Sequence, residues 1–327
     1  MNRHRRGFAR AGLLTGLAAA SITAGVHAQA YPSRPIRLIV GYTTGGAVDT
    51  IARAMAQQLT AALGQPVVVE NRPGGGTNIA SRALIDSAPD GHTLMLAANA
   101  LAANPALYSP APYDLARDIT PVSLVGRVPV VLVVGTLSES GTLGRFIAAA
   151  KARPLAVNYG SPGNGSTPHL AVELFERAAG ITLTHVPYKG GSQAITDLLG
   201  GHVQAVAVNA LEVQPHVRSG RVKVLAVMAP TRSGIFPEVP TVAESGFPGF
   251  EASVWYAFVG PAGLPGAVVV RLHGEIQRAL DTPEMRERLR AAGGEVLPGS
   301  TAQLAALLAS ERARYEKLIR EAGIKPD

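Results

Sequence analysis

From residue 36 onward the sequence repeats one unit: an apolar, β-branched run of strand length, a glycine-rich turn, then apolar residues at helical spacing. Residues 36–42 (IRLIVGY) read as a buried strand bounded by Pro35 and Gly41. Thr43-Thr44-Gly45-Gly46 follows, then Val48, Ile51, Ala52, Met55, Leu59 and Leu63 at helical spacing, with Gly64 as the stop. Residues 66–71 form a second strand, Pro73-Gly74-Gly75-Gly76-Thr77 a turn, residues 78–87 a helix and residues 93–98 a third strand. Such alternation predicts a parallel sheet with helices packed on it, an α/β fold.

The pattern restarts after residues 122–134, two apolar runs split at Gly126-Arg127 and Pro129, which read as the crossing into a second lobe. A helix is expected over 143–152 and a strand over 155–159, followed by a loop over 160–167. Thr167 is expected as the cap of the next helix, with Pro168 at its first position. A strand over 183–186 meets Tyr188-Lys189-Gly190-Gly191, with Ser192 as the expected cap of a helix that stops at Gly200-Gly201. Residues 203–208 and 222–228 read as strands, and 251–259 as a strand crossing back. After Pro265 the chain reads as mostly helical to Gly323, with Ser300 and Gln303 as a capping box.

The first 28 residues have a different character. Arg3, Arg5, Arg6 and Arg10 form a basic head, an apolar run extends to about Val26, and Val26-His27-Ala28 is a small-residue cleavage site. This is the layout of a secretory signal peptide, and a periplasmic destination is expected. Arg5-Arg6-Gly7-Phe8 resembles the twin-arginine export motif, so both export routes stay open. The leader holds four of the 30 basic residues and no acid, which lowers the net charge from +7 to +3 on cleavage. A nucleic-acid-binding reading loses most of its support with it.

Without cysteine, disulfides, thiolate chemistry and Cys-based metal sites are excluded. No P-loop or dinucleotide fingerprint occurs, and the histidines lack zinc-site spacing. Gly190-Gly191-Ser192-Gln193-Ala194 fails the nucleophile-elbow pattern at Ala194. No cofactor, metal or catalytic residue is therefore expected. Three loops share a strand-to-helix design, at residues 43–49, 73–78 and 160–167. A helix N-terminus offers unpaired N–H groups and partial positive charge to a carboxylate or phosphate. Any one such loop is more often a plain turn; three in one chain favour a ligand. His169 either bonds a ligand or braces its loop, and Asp49 is expected to brace its own helix N-terminus.

The chain resembles the Bug family, the extracytoplasmic solute receptors of tripartite tricarboxylate transporters. The resemblance rests on Tyr31-Pro32-Ser33-Arg34-Pro35-Ile36, Glu70-Asn71-Arg72-Pro73-Gly74-Gly75, residues 158–169, Pro187-Tyr188-Lys189-Gly190-Gly191 and Pro240-Thr241-Val242-Ala243-Glu244-Ser245-Gly246. It implies a two-lobed periplasmic-binding-protein fold of type II with hinge strands: residues 29–128 in lobe 1, 129–252 in lobe 2, and 253–327 returning to lobe 1. It also implies a small carboxylate ligand, membrane transporter subunits as partners and a monomeric receptor, with no enzymatic activity. Ligand contacts would map to Tyr42, Thr44, Gly45, Gly46 and Asp49, with Asn78 and Asn99, on lobe 1. On lobe 2 they would map to Ser161, Asn164, Gly165, Ser166, His169, Lys189, Gly190 and Asn209. Many relatives carry an acid just before the equivalent of Asn209, able to pair with a ligand amine; here Val208 stands there. That leans the expected ligand toward mono- or dicarboxylates, aromatic ones included. A sensor receptor using the same closure, and a secreted hydrolase or isomerase working through His169 or Asp49, are the alternatives.

Overall fold

Three parallel strands open the fold. β1 (Ile36–Val40) lies between β2 (Val67–Asn71) and β3 (Thr93–Ala97), with Leu38 opposite Val69 on one side and Leu94 on the other. Every residue of β1 except Arg37 is buried, as expected for a parallel strand covered on both faces. α1 (Ala47–Leu63) joins β1 to β2 and stops at Gly64, whose φ of 69° lets its N–H reach the Thr60 carbonyl. α2 (Asn78–Ile85) joins β2 to β3, and α3 (Ala100–Leu107) and α4 (Leu115–Asp118) lead on from β3. The computed structural model describes residues 31–326 apart from 137, 139, 292 and 293. The basic head, apolar run and cleavage site lie outside the described residues.

β4 (Ile119–Gly135) is one strand of 17 residues where the sequence suggested two runs. Register shifts between Pro121 and Ser123 and between Leu124 and Gly126 absorb the irregular stretch as bulges. Its first part pairs with β9 (Ser253–Pro261) as far as Pro129 opposite Ser253. From Val130, opposite Asn209, it pairs instead with β7 (Ala205–Asn209), and β8 (Val222–Val227) lies along its other side. Pro129, which has no N–H to give to a ladder, falls at this change of partner.

The second half repeats the first. α5 (Leu143–Ala152) precedes β5 (Asn158–Ser161), which is parallel to both β7 and β6 (Thr184–Pro187). α6 (Thr167–Ala179), α7 (Gly191–Leu199) and α8 (Ala210–Arg218) are the connecting helices. After β9 come α9 (Gly266–Asp281), α10 (Pro283–Ala291), the two-residue β10 (Glu295–Val296) against β4, and α11 (Thr301–Ala322) with its capping box. β9 alternates as a central strand should: Val254, Tyr256 and Phe258 join the cluster under α1, α9 and α10, while Trp255, Ala257 and Val259 face α3 and α11. Each large side chain fully buried in this way contributes about 1.5–3 kcal/mol.

Four local expectations are corrected. The strand expected over 155–159 starts at Asn158, because Leu155 adopts φ 62° in a turn and is exposed. Ser166, not Thr167, caps α6; its Oγ accepts the His169 N–H, and Pro168 takes the second helical position, where no N–H is needed. Gly190, not Ser192, precedes α7. Helices α3 and α8 were missed because Pro105 and Pro215 lie inside them.

Within α6, Glu176 is buried and accepts the Leu183 N–H. Burial pushes its carboxyl up to about 7, and Glu173 adds to the rise. A raised carboxyl binds its proton more tightly in the folded than in the unfolded chain, so its contribution is present below the ordinary 4.5 and is lost as pH rises through 7. Glu176→Gln keeps the acceptor and removes the charge. Urea denaturation at pH 5 and pH 8 is expected to show the variant gaining on the parent toward high pH by on the order of 3 kcal/mol; equal pH profiles would refute the burial argument.

Candidate functional site

Strands β1 and β3 run opposite to β5 and β7, so their ends face each other, and a small cavity of about 20 Å³ lies there, lined by residues of both halves. In open α/β sheets this is where ligands bind. Tyr42, Gly46 and Ala47 reach it from the β1–α1 turn, Ser166 and Thr167 from the start of α6, Gly191 from the start of α7, and Asn209 and Glu212 from the start of α8. Four helix N-termini therefore converge on one point, each with unpaired N–H groups and partial positive charge.

The β1–α1 turn is built around Asp49. Its Oδ2 accepts the Gly45 N–H at 2.9 Å and Arg53 Nε at 3.0 Å, and its Oδ1 accepts Asn71 Nδ2 at 2.9 Å. Asn71 also holds the Tyr42 carbonyl. These bonds keep the Asp49 carboxyl below its ordinary range even though burial acts against them. Gly45 needs its left-handed φ of 82° for this turn. Gly46 carries no side chain to cap α1, and Gly46, Ala47 and Val48 at the start of the helix line the cavity.

The lobe 2 loop over 160–167 is braced by two histidines. His185 Nε2 and Ser161 Oγ lie 2.7 Å apart, and Ser161 Oγ also accepts the Gly163 N–H. His169 Nδ1 accepts the Gly165 N–H at 3.1 Å, and its ring stacks on His185 with centroids 4.1 Å apart. Burial and the neighbouring His169 push His185 down to about 2, so the His185 ring is neutral at ordinary pH. Both rings are structural supports here.

The two halves touch around the cavity. The Thr43 N–H donates to the Lys189 carbonyl at 3.1 Å, and Ser192 Oγ lies 3.5 Å from Thr43 Oγ1. A Cβ on Gly190 would fall 2.1 Å from Thr43 Oγ1, and one on Gly76 would fall 2.7 Å from the Asn164 carbonyl. Only glycine allows these approaches.

Of the residues expected from sequence, Tyr42, Gly46, Ser166 and Asn209 line the cavity, and Gly45, Asp49, Ser161, Gly165 and His169 shape its walls. Thr44 and Lys189 are exposed at the rim, and Gly190 and Asn164 sit at the contact between the halves. Asn78 is bonded to Asn104 beside the cleft. Asn99 is not brought to the cavity: its amide binds Glu311, Tyr315 and the Ser253 carbonyl and its Oδ1 accepts the Trp255 N–H, so it ties α11 to β9. Val208 packs in the apolar cluster under α7 and α8. Thr167 and Gly191, which also line the cavity, fall within the stretches 161–169 and 189–192 expected to hold the second-lobe contacts, whereas sequence reasoning missed Glu212. The third-residue position of Glu212 after Asn209 was the available signal, hidden because α8 was not expected.

The sequence matches the TctC family, described as tripartite tricarboxylate transporter family receptor, over residues 51–324. It is 40% identical over 311 residues to protein BugT of Bordetella pertussis, covering 94% of this chain and 95% of that one. An R. palustris protein solved with adipate has a TM-score of 0.87 at 34% identity, covering 91% of this chain and 100% of the other. MatC from Rhodopseudomonas palustris, solved with bound malate, has a TM-score of 0.84 at 31% identity, covering 88% and 100%. The two-lobed fold, the cleft between the lobes and the length of the match agree. The chain belongs to the Bug-type receptors of tripartite tricarboxylate transporters, the extracytoplasmic proteins that capture small solutes for transport.

Proposed function

We propose that this receptor takes the carboxylate of a small organic acid on the N–H groups at the start of α1, and that residues 129–252 close over the remainder as the second lobe. One observation carries the reading: four helix N-termini, two of them flanked by the glycines Gly46 and Gly191, meet at one cavity. An anion there gains up to about 2 kcal/mol from each well-placed helix end when water is excluded. The adipate and malate held by the two related structures fit that chemistry. Closure uses Thr43–Lys189 and Ser192–Thr43, contacts too weak by themselves to hold the lobes together, so a ligand touching both sides shifts the balance.

The protein does no chemistry on its ligand. Asp49 and His169, the titratable groups that an enzyme reading needed, are both committed to bracing loops. The protein works as a monomer after export by its cleaved leader. No helix among the described residues is long and apolar enough to cross a membrane, and membrane subunits carry out translocation.

Thermal denaturation of ligand-stripped protein against a panel of organic acids tests the reading. A true ligand at about 100-fold over its Kd adds about 2.7 kcal/mol, a shift of several degrees; the amide analogue lacking every carboxylate should give none. Gly46→Val should keep the fold, since Gly46 has an ordinary φ of −78° and a Cβ there meets only Thr43 O at 3.6 Å and Glu212 Oε2 at 3.9 Å. Its γ-methyl groups would fill the hook and weaken binding roughly tenfold or more; unchanged affinity in the folded variant would move the hook elsewhere. Asp49→Ala should lower unliganded stability by about 2 kcal/mol through the orphaned Gly45 and Asn71 donors. Unaltered urea midpoints would show that Asp49 does not brace the turn.

A further inference from the structure

Glu212 is the one charged side chain lining the cavity among the described residues. It sits in the first turn of α8, and its Oε1 accepts Asn209 Nδ2 at 2.8 Å. The residue is partly exposed, yet Oε2 is enclosed and makes no hydrogen bond. That oxygen points across the cleft. A Cβ on Gly191 would lie 1.8 Å from it and one on Gly46 3.9 Å from it, so it stands between the starts of α7 and α1. The backbone N–H of Ala47 lies on the same side and favours its charge, but burial prevails and raises the carboxyl above its usual range. Two more enclosed polar atoms in the lining have no partner: Asn209 Oδ1 and Thr167 Oγ1, on residues only 4% and 3% exposed.

A carboxylate-binding cavity that already contains a carboxylate is selective. A ligand carboxylate and Glu212 both draw on the N-terminal charge of α1, and a second ligand carboxylate beside Glu212 would add a like charge in a site with little water. The orphaned Oε2 and Asn209 Oδ1 are acceptors, and each gains from a donor. Resting on the receptor reading above, we infer that Glu212 sets the ligand's second group: the cleft takes an organic acid that presents a hydrogen-bond donor (hydroxyl, amide or ammonium) to Glu212 and excludes a second carboxylate at that position. Val208 leaves the strand without an acid, and Glu212 delivers one to the cleft from the following helix.

Isothermal titration of matched pairs tests this: straight-chain diacids of increasing length, adipate included, each against its own monoamide, with malate against its monoamide. The parent protein should bind the monoamide of the best-fitting pair roughly tenfold more tightly than the diacid, and Glu212→Gln should bring the diacid level or ahead. The parent's ranking decides even if the variant does not fold. A parent that prefers the diacid, or a folded Glu212→Gln with unchanged ranking, overturns the role of Glu212 and leaves the receptor reading standing. If neither protein binds any acid of the series, the carboxylate-receptor reading falls, and this inference with it.

Discussion

β4 runs through both halves of the molecule as one continuous strand, and the position of the cleft follows from where that strand changes partner. Up to Pro129 it is bonded to β9, and from Val130 to β7 and β8. A backbone polar group left unpaired inside a protein is costly, so neither half can detach from β4 without exposing a row of them. The two halves are consequently fixed at one line and free to meet along another. The parallel strands on either side of that line end facing each other, and the loops that follow them are brought together by construction.

What meets at that point is mostly positive. The first turns of α1, α6, α7 and α8 all contribute N–H groups that no helix bond uses. Glycines at 46 and 191 let those groups stand close to whatever lies between, and Gly190 and Gly76 let the opposing loops approach to contact distance. Against this sits Glu212, whose enclosed oxygen lies between the starts of two of the helices. The converging helix ends therefore enclose a carboxylate of the protein's own.

Asp49 and His169, beside the cleft, serve to fix loops. Asp49 commits both oxygens to its own turn, His169 accepts the Gly165 N–H, and His185, stacked on it, bonds the Ser161 hydroxyl that accepts the Gly163 N–H. These bonds set the geometry of the surrounding backbone donors in advance.

The sequence by itself determined the layered α/β fold, the strand–glycine–helix turns and most element positions, because hydrophobic period and glycine or capping residues are local signals. It also indicated Gly45, Gly46 and Asp49 as one unit, since a helix-start acid four residues after a glycine closes its bond locally. Choices between adjacent hydroxyls, such as Ser166 over Thr167, were decided by backbone geometry around Pro168. The family resemblance put Asn99 at the cleft, and only the packing of α11 against β9, more than 150 positions away, drew its amide elsewhere. Glu212 carried one local signal, its third-residue place after Asn209, but its place in the cleft was decided by the same kind of distant packing. Its carboxylate acquires meaning from Gly46 and Gly191, residues of other helices, and no local pattern encodes the distance between chain segments that the folded sheet alone brings together.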